Sequence, residues 1–225
     1  MVGEGTGATT AYPAPAYDES WIRRYGNLGD DDRRLVNAEM AAFTELFEAA
    51  FAGVPRRSIA HLDIGTCTGR YLRWGVTQGF GLTCGIDRSP VTTEYCARTL
   101  RRDGVHVYCA DLLRTDELAA TAGRHAPFRL VTMMLGTINH IDPAQRRGML
   151  RSLASLMDAE GLLVLSSWRP GRCSLSLYSE SERLYLEASA LSERRVAELA
   201  EGSPLRLVTT VSTPWQLLAA LSPRG

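Results

Sequence analysis

The 225-residue chain contains no lysine: all 25 basic residues are arginine. That absence excludes Schiff-base chemistry, a lysine general base and a phosphate-binding-loop lysine. Net charge is absent too, with 25 basic residues against 25 acidic, so the bulk field gives no reason to expect a nucleic-acid or membrane partner. The cysteines, Cys67, Cys84, Cys96, Cys109 and Cys173, are odd in number and form no C-x-x-C pair. A disulfide framework or a zinc site is therefore not expected, no metal is invoked, and a reducing cytoplasm fits. No apolar run reaches membrane-spanning length. No basic stretch followed by an apolar one opens the chain, so no secretory leader is expected. What is present is 45% hydrophobic and 22% charged, the balance of a globular chain long enough to bury one core.

The pattern along the chain divides it. Residues Met1 to Pro15, rich in Gly, Thr, Ala and Pro, bury little, and residues 1–29 read as a mobile arm or lid. Residues 30–225 read as a single domain. It opens on a helix whose stripe of Val36, Met40, Phe43, Phe47 and Phe51 recurs at helical spacing. From Ser58 onward, strands and helices alternate. Strands are expected at Ser58 to Ile64, Gly81 to Asp87, Val105 to Ala110, Phe128 to Met134 and Leu162 to Ser166. Between them, helices follow Gly69, a Ser89-Pro90 cap, Leu113 and an Asp142-Pro143 cap, the last running to about Asp158. Residues 171–190 read as an irregular, tyrosine-bearing insert. Ser192 to Ala200 is helical, and two further strands, Leu205 to Val211 and Trp215 to Ala220, form an antiparallel hairpin. The expected fold is α/β and Rossmann-like: a mostly parallel seven-stranded sheet with helices on both faces and a C-terminal antiparallel hairpin.

In such a sheet, ligands bind beyond the carboxyl ends of the strands. The first strand ends in Leu62-Asp63-Ile64-Gly65-Thr66-Cys67-Thr68-Gly69, an acid followed by a glycine-bracketed turn into a helix. Strand two ends in Asp87, 18 residues past Gly69, where an acid suits ribose hydroxyls. Strand three ends in Asp111. Strand four runs into Met134-Leu135-Gly136-Thr137-Ile138-Asn139-His140.

The segments Leu62 to Gly69, Gly85-Ile86-Asp87-Arg88-Ser89-Pro90 and Cys109-Ala110-Asp111-Leu112, with the turn Asp158-Ala159-Glu160-Gly161 into strand five, resemble the cofactor motifs of class I S-adenosylmethionine-dependent methyltransferases. The resemblance runs from about Val36 to Leu221. It implies S-adenosylmethionine as cofactor. Asp63 and the turn of Gly65, Thr66, Cys67 and Gly69 would hold its methionine end. Asp87, with Arg88 beside it, would take the ribose, and Asp111 and Leu112 the adenine. Met134, Leu135 and Gly136 would pass near the sulfonium. Cys67 stands where the family carries its middle glycine, so it must either keep φ negative or turn its sulfur aside.

On the acceptor side, His140 is the candidate general base, because an unperturbed imidazole takes a proton near neutrality. A structural role, capping the Asp142 helix, is the competing reading. Tyr17 and Tyr25 are candidates to orient or polarise the acceptor. Asn139, Trp168 and Tyr178 are candidate substrate contacts, and Trp21, Trp168, Tyr17, Tyr25 and Tyr178 would make an aromatic chamber over the sulfonium if their segments meet. His61 and His106 read as packing residues, and His125 as a solvated loop residue. Small size and neutral charge resemble bacterial small-molecule methyltransferases, including natural-product enzymes that methylate indole rings. The acceptor would be a small aromatic or heteroaromatic metabolite, with O-methylation or a non-catalytic cofactor sensor as alternatives. A homodimer stays open. A nicotinamide dehydrogenase would need a third glycine, and a nucleobase amine methyltransferase an Asn/Asp-Pro-Pro-aromatic run after strand four; neither is present.

Overall fold

The structure is a computed structural model that describes residues 17–225. The expected mobility of Met1 to Pro15 falls outside the described residues. Seven strands form one sheet: β1 (Ala60–Ile64), β2 (Leu82–Asp87), β3 (Val105–Cys109), β4 (Phe128–Met133), β5 (Met157–Trp168), β6 (Leu205–Ser212) and β7 (Gln216–Pro223). Their order is β3-β2-β1-β4-β5-β7-β6. The first five are parallel, and β7 enters antiparallel between β5 and β6. The chain steps outward from β1 to β3 and then returns to place β4 on the other side of β1. That reversal opens a crevice at the carboxyl ends of β1 and β4.

Two helices precede the sheet, α1 (Glu19–Gly26) and α2 (Asp30–Ala50). Three follow β1, β2 and β3 in turn: α3 (Arg70–Thr77), α4 (Pro90–Thr99) and α5 (Thr115–Ala120). The remaining three are α6 (Arg146–Ala154), α7 (Glu180–Ala188) and α8 (Glu193–Glu201). The aromatic stripe of α2 buries Phe43, Phe47 and Phe51 against Tyr71 and Trp74 of α3 and against β5 and β7. The opposite face of the sheet packs on Leu118, Met149, Leu150, Leu153 and Val196. A third cluster joins α1 to the segment after β5 through Trp21, Tyr25, Trp168, Leu175 and Tyr178.

Four expectations about elements are corrected. The helix after β4 starts at Arg146, not at an Asp142 cap, because the Asp142 carboxylate takes the Ala144 N–H at 2.8 Å in a local turn. It also ends before Asp158, since β5 starts at Met157, opposite Phe128. Residues 171–190 are not irregular throughout. Ser179 and Glu182 form a reciprocal capping box that opens α7, and the Ser-x-x-Glu spacing is the signal that would have found it. His125 is not simply solvated: it stacks on His106 with ring centroids 4.3 Å apart and meets the Tyr108 hydroxyl at 2.8 Å.

Candidate active site

The crevice encloses about 1150 Å³ of empty space, its open mouth included. Its floor comes from the ends of β1, β2 and β3 and the turn after β4. Asp63, Gly65, Thr66, Cys67, Asp87, Arg88, Asp111, Leu112, Met134 and Leu135 all line it. Gly69 and Gly136 do not. Gly69 lies behind the turn, where a Cβ would meet Cys96 and Leu100, and Gly136 packs its bare Cα against the indole of Trp168.

The first turn is held by the second acid. Asp87 accepts the Cys67 N–H on one oxygen at 2.8 Å and the Ser89 N–H on the other at 2.9 Å. A carboxylate offers about four acceptor positions, so both oxygens keep capacity toward the cavity. Burial nonetheless pushes the Asp87 carboxyl above its ordinary range, against those bonds. Ser89 caps α4, with Pro90 in the first turn as the sequence implies. Asp111 folds its carboxylate onto the Leu113 N–H at 2.9 Å.

Asp63 is buried, and its carboxylate accepts the Thr132 hydroxyl at 2.7 Å. His61 Nε2 lies 2.9 Å from that same hydroxyl oxygen. With Asp63 ionised, the single hydroxyl proton goes to the carboxylate, and His61 then donates from Nε2. Burial drives His61 down to about 3 and Asp63 up to about 7. The pair is thus a neutral imidazole backing a carboxyl that titrates near neutrality.

Cys67 does not keep φ negative: it sits at φ 48°, a left-handed conformation that costs a side-chain-bearing residue about 1–2 kcal/mol. Three contacts hold it there. Its N–H goes to Asp87, its carbonyl accepts the Cys96 thiol at 3.1 Å, and its sulfur accepts the Trp21 indole N–H at 3.3 Å. The sulfur is therefore turned onto α1. Burial pushes the thiol up to about 12, so it is no nucleophile at neutral pH.

Helix α1 covers the cradle. Tyr17, Trp21 and Tyr25 line the cavity. The Tyr17 carbonyl accepts the Ser89 hydroxyl at 3.0 Å, and the Tyr25 hydroxyl accepts Arg70 Nε at 3.2 Å. Burial raises the Tyr25 phenol above its usual value, so at neutral pH it acts as a fixed dipole and not as a base. Beside them, Tyr178 and His140 also line the cavity, with the hydroxyl 3.3 Å from Nε2. Tyr17 meets Trp21 edge to face at 5.0 Å, and Trp21 meets Tyr178 at 5.6 Å. Burial, aided by Arg88, lowers His140 to about 3. That is far below the value a general base needs.

Asn139 and Trp168 are not substrate contacts. Both are fully buried, and neither lines the cavity. The Asn139 amide donates to Ser167 Oγ and to the carbonyls of Leu186 and Ser189, and its oxygen accepts the Trp168 N–H. The residue pins α7 to β5. Sequence reasoning also missed Glu39, a carboxylate at the core of the stripe on α2. A single acid on an apolar helical face was the available signal.

Residues 62–161 match a family model described as a methyltransferase domain. No curated protein matches the chain. Among solved structures, the chain is similar to N-methyltransferase NodS from Bradyrhizobium japonicum WM9 in complex with S-adenosyl-L-homocysteine. The TM-score is 0.64 at 19% identity, over 94% of this chain and 100% of that one. It is also similar to magnesium protoporphyrin IX methyltransferase from Synechocystis PCC 6803 with bound S-adenosylmethionine, with TM-score 0.62 at 17% identity, over 91% and 90%. The CcbJ methyltransferase from Streptomyces caelestis is a third, with TM-score 0.61 at 13% identity, over 80% and 93%. At these identities the structural likeness is one of fold. The matched domain spans β1 to the start of β5 and so contains the acidic strand ends and the glycine turn. The three acids, the bare backbone at Gly65 and the apolar surface of Ile86, Ala110 and Leu112 fit a nucleoside with a charged tail.

Proposed function

We propose that the S-adenosylmethionine-dependent methyltransferase domain of this chain methylates a ring carbon or nitrogen of a small, indole-type aromatic metabolite, in specialised metabolism. The observation that supports this reading is the cluster of Tyr17, Trp21, Tyr178 and His140, in ring contact with one another, lining the same cavity as the acidic strand ends. Such a cluster favours a flat π-system by edge-to-face and offset contacts, and its faces also suit positive charge. Solved structures with the same fold include enzymes named for small-molecule work, among them the magnesium protoporphyrin IX methyltransferase.

When bound, the cofactor would supply an electrophilic methyl group and leave as its demethylated thioether, the proton displaced from the acceptor ring passing to solvent. The protein's part is then to hold the acceptor in line, and alignment alone contributes several kcal/mol. His140 and Tyr178 act as a positioning pair: the neutral imidazole and the phenol, 3.3 Å apart, orient a ring N–H or hydroxyl. The arm residues Tyr17 and Trp21 close the chamber against water.

The test is transfer of labelled methyl from S-adenosylmethionine to a panel of indoles with carbon 3 open or blocked, other N-heteroaromatics, phenols and aliphatic amines. Label is expected on the indole-type rings. Label confined to phenol oxygens or aliphatic amines would sink the reading. In the same assay, His140→Ala is expected to lower kcat roughly 100-fold, the cost of a misplaced acceptor, while S-adenosylhomocysteine affinity stays within about twofold. Unchanged turnover would remove His140 from the site's work.

A further inference from the structure

We infer that Glu39 is a positioning residue whose buried carboxylate sets the Leu135–Gly136 turn against the reacting end of the cavity. The inference rests on the proposed placement of that turn near the sulfonium. Leu135 and Gly136 are two successive left-handed residues, at φ 52° and 71°. Glycine takes this conformation freely, but leucine pays about 1–2 kcal/mol for it. Glu39 takes the first N–H of this turn directly and the second through a serine hydroxyl. The Leu135 N–H reaches both carboxylate oxygens, at 3.2 and 3.0 Å. The Gly136 N–H donates to Ser166 Oγ at 3.2 Å, and that hydroxyl passes its own proton to Glu39 at 2.7 Å. The Tyr71 hydroxyl completes the set at 2.7 Å.

A purely structural role explains this poorly. Glu39 is 0% exposed, on a helix face otherwise filled by Leu35, Val36 and Phe43. A buried carboxylate there costs several kcal/mol that an apolar residue would not. Three donors converge on it, two of them directly or indirectly from one turn, and Leu135 of that turn lines the cavity. Losing the carboxylate would free Leu135 to relax out of the left-handed region and shift the wall that the acceptor and methyl donor share.

Glu39→Gln keeps the volume but replaces one of the two acceptor oxygens with an NH2 group, so the Leu135 N–H and the two hydroxyls must share a single acceptor. It is expected to lower kcat roughly 10- to 100-fold while S-adenosylhomocysteine affinity by calorimetry stays within about threefold. Amide exchange at Leu135 and Gly136 should accelerate at least about tenfold. Replacing Leu135 by glycine in that background removes the left-handed penalty and should restore part of kcat. If Glu39→Gln does not fold, Ser166→Ala removes the relayed Gly136 contact, together with one of the carboxylate's three donors, and should show the same split on a smaller scale. Unchanged exchange and kcat would overturn the inference. So would a parallel fall in kcat, affinity and melting temperature, the mark of a residue that only holds the fold. The exchange measurement needs no acceptor, so it reads Glu39 even if the wild type methylates nothing in the panel.

Discussion

Asp87→Ala is expected to weaken S-adenosylhomocysteine binding by at least roughly 100-fold, measured by calorimetry. The size follows from what the carboxylate holds. Its oxygens already take the Cys67 and Ser89 N–H groups, and their remaining acceptor positions suit the two ribose hydroxyls. Hydrogen bonds to a charged group are worth about 1.5–3 kcal/mol each; losing two costs about 3–6 kcal/mol, or roughly 100- to 10,000-fold. The variant also frees the Cys67 N–H, which helps hold that residue left-handed, so the glycine turn should loosen with it. A thermal-shift comparison gives an independent reading. Ligand at 100 times its dissociation constant adds about 2.7 kcal/mol to the wild type and should add almost nothing to the variant. Unaltered affinity in a folded Asp87→Ala protein would take Asp87 out of the cofactor site.

The cradle was legible because it depends on where strands end, and hydrophobic runs mark strand ends well. Three acids placed at the ends of the first three strands stand on one rim of the cavity, with Asp63, Asp87 and Asp111 all lining it. The acceptor side was less legible, because there the direction of each side chain depends on backbone turns that composition does not reveal. Asn139 and His140 are neighbours in sequence. After Leu135 and Gly136 turn left-handed, a short 3-10 turn spans Thr137–His140, sending His140 into the cavity and Asn139 back onto α7. Trp168 was misread for a related reason: β5 continues through it, paired with Gln216 of β7, so its ring enters the core instead of the rim. Glu39 was hidden because helical periodicity predicts burial without saying what a buried acid meets. Cys67 was the opposite case. Its departure from glycine was plain in the sequence, but its compensation came from Trp21, 46 residues away, which local pattern cannot connect.

Between pH 7.5 and pH 5, wild-type affinity for S-adenosylhomocysteine should fall roughly 50- to 100-fold, and Asp63→Asn should flatten the profile. The group responsible is Asp63, raised from 3.8 to about 7, mainly by burial and further by the nearby Asp87 and Glu39 carboxylates, against the hydrogen bond from Thr132. In the proposed placement of the cofactor's methionine end, the ionised form holds its cationic amino group. With a pKa near 7, that form falls to about one part in a hundred by pH 5. The effect on stability has the opposite sign. Because the folded pKa lies above the unfolded one, the folded state binds more protons between about pH 4 and 7, and this group's contribution to stability falls as pH rises through that window. His61 and His140, both lowered to about 3, pull the other way: the unfolded state binds their protons first, and stability gains as pH rises toward the unfolded histidine value. The melting temperature of the free protein therefore mixes opposed terms, and ligand affinity is the cleaner reading. Neither histidine changes charge between pH 5 and 7.5, so a slope there points to a carboxyl. Asp87 is also raised, and the Asp63→Asn comparison separates the two. A wild-type affinity flat across this range, or a slope that survives in Asp63→Asn, would show that Asp63 does not carry the charge that holds the cofactor's amino end.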